Sequence, residues 1–182
     1  YALVISTNAG LWRYLVGDLV TITSKVPLRV QVAGRITSHL NLVGEEVMQH
    51  QTDKALSIVC AELGADLYNY MAGPVFDDFG KPVGHQWVME FQPGSMQPPS
   101  KALASRLDAM LQSMNGDYAA KREGDLVLDA PEVHVVPKGT FDAWLESRNR
   151  LGGQNKVQRL THDESMLMDI VQLASQELSP TC

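Results

Sequence analysis

Apolar residues recur at two spacings along the chain, and the spacing in each segment predicts its secondary structure. Segments with alternating or continuous apolar residues predict six strands. These are Tyr1–Ile5, Leu19–Ile22, Arg29–Val32, Asp66–Val75, Gly84–Phe91 and Glu132–Val136. On the fifth of these strands, Trp87, Met89 and Phe91 share one face. Between the fourth and fifth, Asp77–Pro82 contains glycine, proline and aspartate, a composition that predicts the turn of a hairpin.

A helical spacing of apolar residues predicts a first helix from Glu45 to about Leu63. Glu45 and Glu46 would lie in its first turn, where negative charge is favoured. Gly64 suits the position just after the helix end, because glycine adopts the left-handed conformation that helix termini use. The buried face of this helix would consist of Leu56, Val59, Cys60 and Leu63.

Three more helices follow from the same spacing. The second begins at Pro98-Pro99-Ser100, and a third follows Gly139-Thr140 and carries Phe141, Trp144 and Leu145. The last is predicted to start with a capping box, Thr161-His162-Asp163-Glu164. The second helix would bury the stripe Leu103, Leu107, Met110, Leu111 and Met114.

The order of these elements after Gly44 is helix, strand, strand, helix, strand, helix, loop, helix. This order predicts an α+β fold, a small antiparallel or mixed sheet with helices packed on one face. Gly34-Arg35 lies where a first compact unit could end and a second begin. The chain starts inside a predicted strand and without methionine, so we expect it to be a segment of a longer protein.

Composition narrows the possible partners. The 182 residues suffice for one or two domains, and 45% apolar with 20% charged residues is typical of a globular protein. The net charge of −6 argues against a nucleic-acid partner. No apolar run reaches 18 residues, so no membrane partner is expected. Two cysteines, Cys60 and Cys182, and no secretory signal predict a cytoplasmic protein.

Several common catalytic and metal-binding patterns are missing from the sequence. The five histidines never fall two or four residues apart, and no C-x-x-C occurs, so no structural zinc is predicted. The chain also lacks a phosphate-binding G-x-x-x-x-G-K-[ST] loop and a G-x-S-x-G nucleophile. Asp77-Asp78 could hold a cation, although adjacent acids in a turn are usually solvated.

One loop near the end of the chain combines glycines, amides and a lysine in Gly152-Gly153-Gln154-Asn155-Lys156. Glycine permits close approach of the backbone to a ligand, and a lysine on such a loop is a movable cation suited to phosphate. The alternative interpretation is an ordinary surface turn with a solvated lysine.

Near the start of the chain, three charged residues are candidates for ligand binding. The Asp18 carboxylate could accept hydrogen bonds from two vicinal hydroxyls, such as those of a ribose. It could equally be a turn aspartate that binds its own backbone. The guanidinium groups of Arg13 and Arg35 suit a phosphate or a carboxylate, and each could instead form an ordinary ion pair.

Three ordered motifs give the chain a family resemblance. The segments Gly10–Asp18, Asn115–Arg122 and Phe141–Leu160 resemble those of the Gretchen Hagen auxin-responsive family of acyl-acid amido synthetases. Gly34-Arg35 followed by Leu42–Glu45 is similar to the hinge region of the wider acyl-adenylating superfamily. The resemblance spans essentially the entire chain, and three motifs in order are more specific than any one of them.

This resemblance implies an ATP-dependent ligase with ATP and Mg²⁺ as substrate and no tightly bound cofactor. It implies that Asp18 binds the ribose hydroxyls and that Lys156 is the catalytic lysine of the adenylation step. Arg13 and Arg35 become candidate nucleotide-binding residues, and Gly152–Gln154 support the lysine loop. The partners implied are a small carboxylic acid, an amino acid and an N-terminal domain of the same protein.

The resemblance also implies a division of the chain. Residues 1–33 would be terminal strands of a large nucleotide-binding domain, and residues 34–182 a mobile C-terminal α+β domain. The upstream phosphate loop and acyl-acid pocket of the family are not in these 182 residues, so we expect the segment alone to be inactive.

The sequence departs from the family pattern at Trp12, Leu15 and Gln158. They replace a tyrosine, an arginine and a proline, respectively. Two other functions remain open on the residues alone. One is a thioester-forming relative with a thiol acceptor such as coenzyme A, and the other is a non-catalytic binding module that kept the fold.

Overall fold

The computed structural model of the chain describes residues 1–35, 39–150, 152 and 156–177. Its strands are β1 Ala2–Ile5, β2 Tyr14–Lys25, β3 Leu28–Arg35, β4 His39–Leu40, β5 Val47–Met48, β6 Leu67–Phe76, β7 Pro82–Phe91 and β8 Glu132–Val136. Its α-helices are α1 Gln49–Glu62, α2 Ser100–Met114, α3 Gly116–Arg122, α4 Thr140–Ser147 and α5 Glu164–Glu177. The predicted α+β class is confirmed. In the part of the chain that the structure describes, no helix is long and apolar enough to span a bilayer.

The first sheet consists of β1, β2 and β3, all antiparallel. Strand β2 begins five residues earlier than predicted, at Tyr14, and continues to the turn before β3. The pairs Val20–Val32 and Ile22–Val30 lie opposite each other across β2 and β3. Apart from the buried Val20, this apolar row is exposed, so one face of the sheet has little cover.

A second sheet, in the order β6-β7-β8, organises the rest of the chain. Strands β6 and β7 form the predicted hairpin, and β8 lies parallel to β7. Because side chains alternate along a strand, the sheet has two apolar faces. Trp87, Met89 and Phe91 lie on the first face, as predicted, and Val88 lies on the second.

Helices cover both faces of this sheet, so the prediction of helices on one face was wrong. The first face packs against the buried sides of α1 and α2, including Leu56, Leu107 and Leu111. On the second face, Met71 and Val88 pack with Phe141 of α4 and residues of α5. The parallel β8 explains the difference, because the chain after it crosses to the side opposite α1 and α2.

Helix α1 begins at Gln49, four residues later than predicted. The carboxylate of Glu45 accepts hydrogen bonds from the amides of Leu42 and Val43, both at 2.8 Å, so it closes a turn instead of entering the helix. The predicted end at Gly64 is confirmed. Gly64 has φ 65°, and its amide donates to the Ala61 carbonyl at 3.3 Å, as in a Schellman turn.

Carboxylates accept backbone amides at the starts of the last two helices, α4 and α5. At the start of α4, the buried Glu90 accepts hydrogen bonds from the amides of Gly139 at 2.7 Å and Phe141 at 2.9 Å. The predicted capping box of α5 does not form. Asp163 Oδ1 accepts the Ser165 amide at 3.0 Å, and the helix starts at Glu164.

Candidate functional site

The Gly17-Asp18 pair lies at an irregularity of the first sheet. Val4 pairs with Leu15 and Ala2 pairs with Leu19, so β2 holds more residues than β1 between the two pairs. Gly17 has φ 89°, a conformation that other residues rarely adopt. Such bulges redirect side chains and recur beside functional sites. The half-buried Asp18 therefore lies on a locally distorted strand.

Two arginines lie in or next to the same sheet. Arg13 is exposed just before β2, with φ 47° and its amide donating to Ser6 Oγ at 3.0 Å. The backbone of Arg35 pairs directly with Asp18 across β2 and β3. The register thus brings Asp18 and the Arg35 backbone together, at the end of the first sheet.

The predicted lysine loop is partly outside the described residues. Gly153 and Gln154, along with Leu151 and Asn155, lie in the part that the structure does not describe. Gly152 has φ 89°, so it does use the backbone freedom expected of it. Lys156 is exposed and lies beside the second sheet, whereas Asp18 belongs to the first.

Before the loop, the chain leaves α4 through a second Schellman turn. Asn149 has φ 54°, and the amide of Arg150 donates to the carbonyl of Leu145 at 2.8 Å. The Arg148 guanidinium lies 4.7 Å from the Trp144 ring centre and forms an ion pair with Asp169 of α5 at 2.5 Å. These contacts fix the point from which the loop departs.

After the loop, the chain crosses the outer side of β6. Val157 is buried among residues of the second face, and Leu160 among residues of the first. Between them, the Ala72 amide donates to the Arg159 carbonyl at 2.8 Å, and the Thr161 amide donates to the Ala72 carbonyl at 2.9 Å. The lysine is therefore exposed between two firmly held segments.

A buried polar network that sequence reasoning missed surrounds Glu45. Glu45 and His85 have 0% and 1% side-chain exposure, and His85 Nε2 lies 2.9 Å from Glu45 Oε1. Burial raises the pKa of Glu45, but the hydrogen bonds from His85 and from the Val43 and Leu42 amides outweigh burial and lower the pKa to about 2. The carboxylate is thus ionised at neutral pH and acts only as an acceptor, so Nε2 of His85 donates.

Asn115 joins this network to the helices. Its Nδ2 donates to the Glu45 carbonyl at 2.9 Å, and its Oδ1 accepts the Tyr118 amide at 2.9 Å at the start of α3. The Tyr118 ring stacks on His85 with 5.7 Å between ring centres. Two of the family-like motifs, around Glu45 and around Asn115, therefore meet in one cluster.

The remainder of the Asn115–Arg122 motif is structural. Arg122 contacts both carboxylate oxygens of Asp108 at 2.9 Å, and Tyr118 donates its hydroxyl to the same carboxylate at 2.7 Å. Hydrogen bonding to Asp108 raises the pKa of Arg122, and burial raises that of Tyr118. The Asn115–Arg122 motif was the sequence signal for this cluster. Its contacts with Glu45 and His85 join residues too far apart in the chain to be paired by spacing.

Comparison with known families identifies the chain. The model of the GH3 family C-terminal domain matches residues 50–165, and the model of the GH3 family central domain matches residues 1–35. The chain belongs to the GH3 family. The resemblance drawn from its motifs is therefore confirmed.

Relatives of the chain include two plant proteins. It is 30% identical over 173 residues to a probable indole-3-acetic acid-amido synthetase GH3.1 of Arabidopsis thaliana. The aligned region covers 87% of this chain and 28% of that protein. It is 27% identical over 155 residues to a probable indole-3-acetic acid-amido synthetase GH3.1 of Oryza sativa subsp. japonica, at 80% and 24% coverage. The chain thus spans about a quarter of the length of these relatives.

A solved GH3 structure shares the fold. The GH3.15 acyl acid amido synthetase superimposes with a TM-score of 0.73 at 20% identity, over 96% of this chain and 33% of the other. At that identity the match establishes the architecture, and the chemistry has to be argued from the residues.

Proposed function

We propose that the protein to which this segment belongs is an ATP-dependent acyl-acid amido synthetase. A carboxylate oxygen of the acyl acid attacks the α-phosphorus of ATP and displaces pyrophosphate, giving an acyl-adenylate. The amine nitrogen of an amino acid then attacks the acyl carbon, loses its proton and displaces AMP. Membership in the GH3 family is the observation that carries this proposal, and Asp18 and Lys156 lie in segments that resemble the family's motifs.

Lys156 would act in the first of these steps. Adenylation brings negative charge together on the phosphates and the attacking carboxylate, and an exposed ammonium group is a suitable counter-charge. A cation about 4 Å away contributes up to roughly 4 kcal/mol at an effective dielectric constant near 20. Its exposure on a loop held at both ends supports this role, because the side chain can enter a site formed by another domain.

Asp18 would bind the two ribose hydroxyls of the nucleotide, with Arg13 and Arg35 near its phosphates. The distorted strand at Gly17 supports this role, because a bulge turns a carboxylate out of the regular ladder. ATP would bring Mg²⁺ with it. Among the described residues there is no cluster of three His, Cys, Asp or Glu side chains that could hold a metal independently.

We further propose that the two units move relative to each other. Residues 1–33 would belong to the large nucleotide-binding domain, and residues 34–182 would form a mobile domain with its boundary near Gly34 and Arg35. A rotation of this domain would bring Lys156 to the nucleotide for adenylation and withdraw it for amidation. Among the side chains that the structure describes, none from the first sheet belongs to the buried cores of residues 39–177, and this supports such a division.

The test compares Lys156→Ala with the unchanged enzyme in the full-length protein. We expect pyrophosphate exchange with a cognate acid to fall by about 100- to 1,000-fold, as expected for the loss of a group that stabilises transition-state charge. Amidation of preformed acyl-adenylate should stay within about twofold of the original rate, because the lysine is then withdrawn.

Lys81→Ala is the matched control, since Lys81 is an exposed lysine in the β6–β7 turn. Equal losses of both half-reactions in Lys156→Ala would contradict the assigned role. Exchange with no member of a broad acid panel would favour a binding module over an enzyme, and transfer to coenzyme A but to no amine would favour a thioester ligase.

A further inference from the structure

We infer that Arg159 is a positioning residue for Lys156, and that it fixes the segment after the lysine loop against β6. This inference rests on the proposed role of Lys156 in adenylation. It concerns a residue beside the edge of the second sheet that touches neither nucleotide nor acid in the proposal, and whose effect would reach the reaction only through the lysine.

The Arg159 guanidinium is held from three directions. Its central carbon lies 4.6 Å from the ring centre of Tyr70, over a side chain that is 2% exposed. One terminal nitrogen donates to Asn69 Oδ1 and, at 3.4 Å, to the Tyr70 carbonyl. A planar guanidinium can stack on a ring and donate in its own plane at once, and an ammonium group cannot.

The backbone of Arg159 is held by the same strand. Its carbonyl accepts the Ala72 amide at 2.8 Å, and the next pair in this bridge joins the Thr161 amide to the Ala72 carbonyl at 2.9 Å. The side chain therefore contacts β6 at residues 69 and 70 while the main chain contacts it at residue 72. Together these contacts fix both the position of the segment along β6 and the distance between the segment and β6.

Lys156 lies three residues before this anchor in the chain. Three extended residues span at most about 10 Å, so an anchor at Arg159 confines the Cα of the lysine to a small volume. Val157, between the two, is buried among residues of α4 and α5 and narrows that volume further. Loss of the guanidinium would leave the buried side chains in place but allow the segment to shift along β6.

The experiment measures both half-reactions in full-length Arg159→Ala and Arg159→Lys. We expect adenylation to fall by about 10- to 100-fold in Arg159→Ala, because misplacement of a catalytic group by about 1 Å can cost that much. Amidation of preformed adenylate should change less than twofold. Arg159→Lys should lose adenylation to nearly the same extent, since it keeps the charge but not the planar contacts.

Two further variants separate positioning from simple destabilisation. Asn69→Ala removes one partner of Arg159. It should also lower the rate of adenylation more than that of amidation, by a smaller factor than Arg159→Ala, and the two losses should not add in the double variant. Arg106→Ala removes an exposed arginine of α2 that pairs with Glu62 and should leave both rates unchanged. Equal losses of both half-reactions in Arg159→Ala, or no loss in either, would overturn the inference.

Hydrogen exchange, which does not depend on enzyme activity, distinguishes the Arg159 anchor from the proposed role of Lys156. In the 182-residue chain, Arg159→Ala should accelerate hydrogen exchange at the Ala72 and Thr161 amides relative to Arg106→Ala. If those amides exchange faster while Lys156→Ala shows no selective loss of adenylation, the anchor stands and the proposed function fails. Unchanged exchange at both amides would refute the anchor, whatever the activity.

Discussion

Glu45 combines full burial with a full negative charge. A lone carboxylate in such a position would be strongly destabilising, but Glu45 receives hydrogen bonds from the amides of Leu42 and Val43 and from His85. A charged group is tolerated in a protein interior when hydrogen bonds satisfy its polar atoms, as these do for the Glu45 carboxylate. The residue therefore ties the turn at 42–45 to strand β7 through charge rather than through apolar contact.

Replacing Glu45 should reveal this contribution as a pH-dependent loss of stability. We expect Glu45→Gln to lower the free energy of unfolding at pH 7 by on the order of 3 kcal/mol, from a pKa lowered from 4.5 to about 2. The stabilisation is complete above pH 4.5 and is lost as the pH falls towards 2. The difference between the two proteins, measured by urea unfolding, should thus shrink over that interval.

The exposed pair Arg106–Glu62 supplies the control for this experiment. Its side chains are 52% and 38% exposed, and exposed ion pairs contribute little. Glu62→Gln should change stability by less than about 1 kcal/mol at any pH. A loss of the same size in Glu62→Gln, or a loss in Glu45→Gln that persists unchanged at pH 2, would refute the assignment to the buried carboxylate.

At the scale of residues, the sequence predicted those with a motif but not those with distant partners. Asp18 and Lys156 were named from short local patterns, and their roles remain predictions. The Glu45–His85 contact joins positions 40 residues apart, and Arg159 contacts Asn69 across 90 residues. No spacing rule reaches so far, because such pairs exist only once the sheet and helices have assembled.

Among the elements, strand β6 is closely approached by the chain at Gly73. A Cβ atom at Gly73 would lie 2.6 Å from Leu167 Cδ1, 3.0 Å from Thr161 Cγ2 and 3.2 Å from the Thr161 carbonyl oxygen. Glycine is needed here for space rather than for an unusual backbone angle. The missing side chain lets α5 and the segment before it lie directly on the strand.

We expect Gly73→Ala to destabilise the protein by about 1 to 3 kcal/mol, the usual range for an overpacked core. Gly84→Ala on β7 is the matched control, because its Cβ would meet only Asp129 at 3.7 Å, an ordinary contact. Thermal unfolding of both variants against the parent measures the difference. Equal effects of the two substitutions would show that strand glycines, and not the close approach of α5, determine the loss.

Element prediction succeeded for the six predicted strands and for the interiors of four helices, but it missed β4, β5 and α3 and misplaced two helix starts. The apolar spacing located α2, β6 and β7 to within two residues. The starts of α1 and α5 were wrong because Glu45 and Asp163 use their carboxylates for different backbone amides than a standard capping pattern assumes. Spacing reports which face is buried, whereas the first turn depends on individual hydrogen bonds.

At the scale of the whole molecule, the described side chains of the two buried cores all lie beyond residue 39. Of the side chains described between residues 1 and 32, Val20 alone is buried. The first sheet therefore contributes little to the cores that hold α1–α5 and β6–β8 together. The prediction from element order placed the helices on one face of the second sheet and did not anticipate a core on each face. A parallel third strand cannot be inferred from element order alone.

Residues 39–182 should consequently fold without the first sheet. We expect this shorter chain to show a cooperative urea transition with a midpoint close to that of the 182-residue chain, because none of the core side chains that the structure describes is removed. Circular dichroism and fluorescence of Trp87 and Trp144 would follow the transition. A non-cooperative transition, or a large drop in the midpoint, would show that the first sheet is needed for folding.

The short bridge between Ala72 and Leu160 has a consequence for solubility. Strand β6 ends the second sheet on one side, and an uncovered strand of this kind can pair with another molecule and begin aggregation. The crossing segment occupies the hydrogen-bonding groups of Ala72 that would otherwise be open to such pairing. Whatever frees the segment, whether mutation or a large loop movement, also exposes Tyr70, Met71 and Ala72 to self-association.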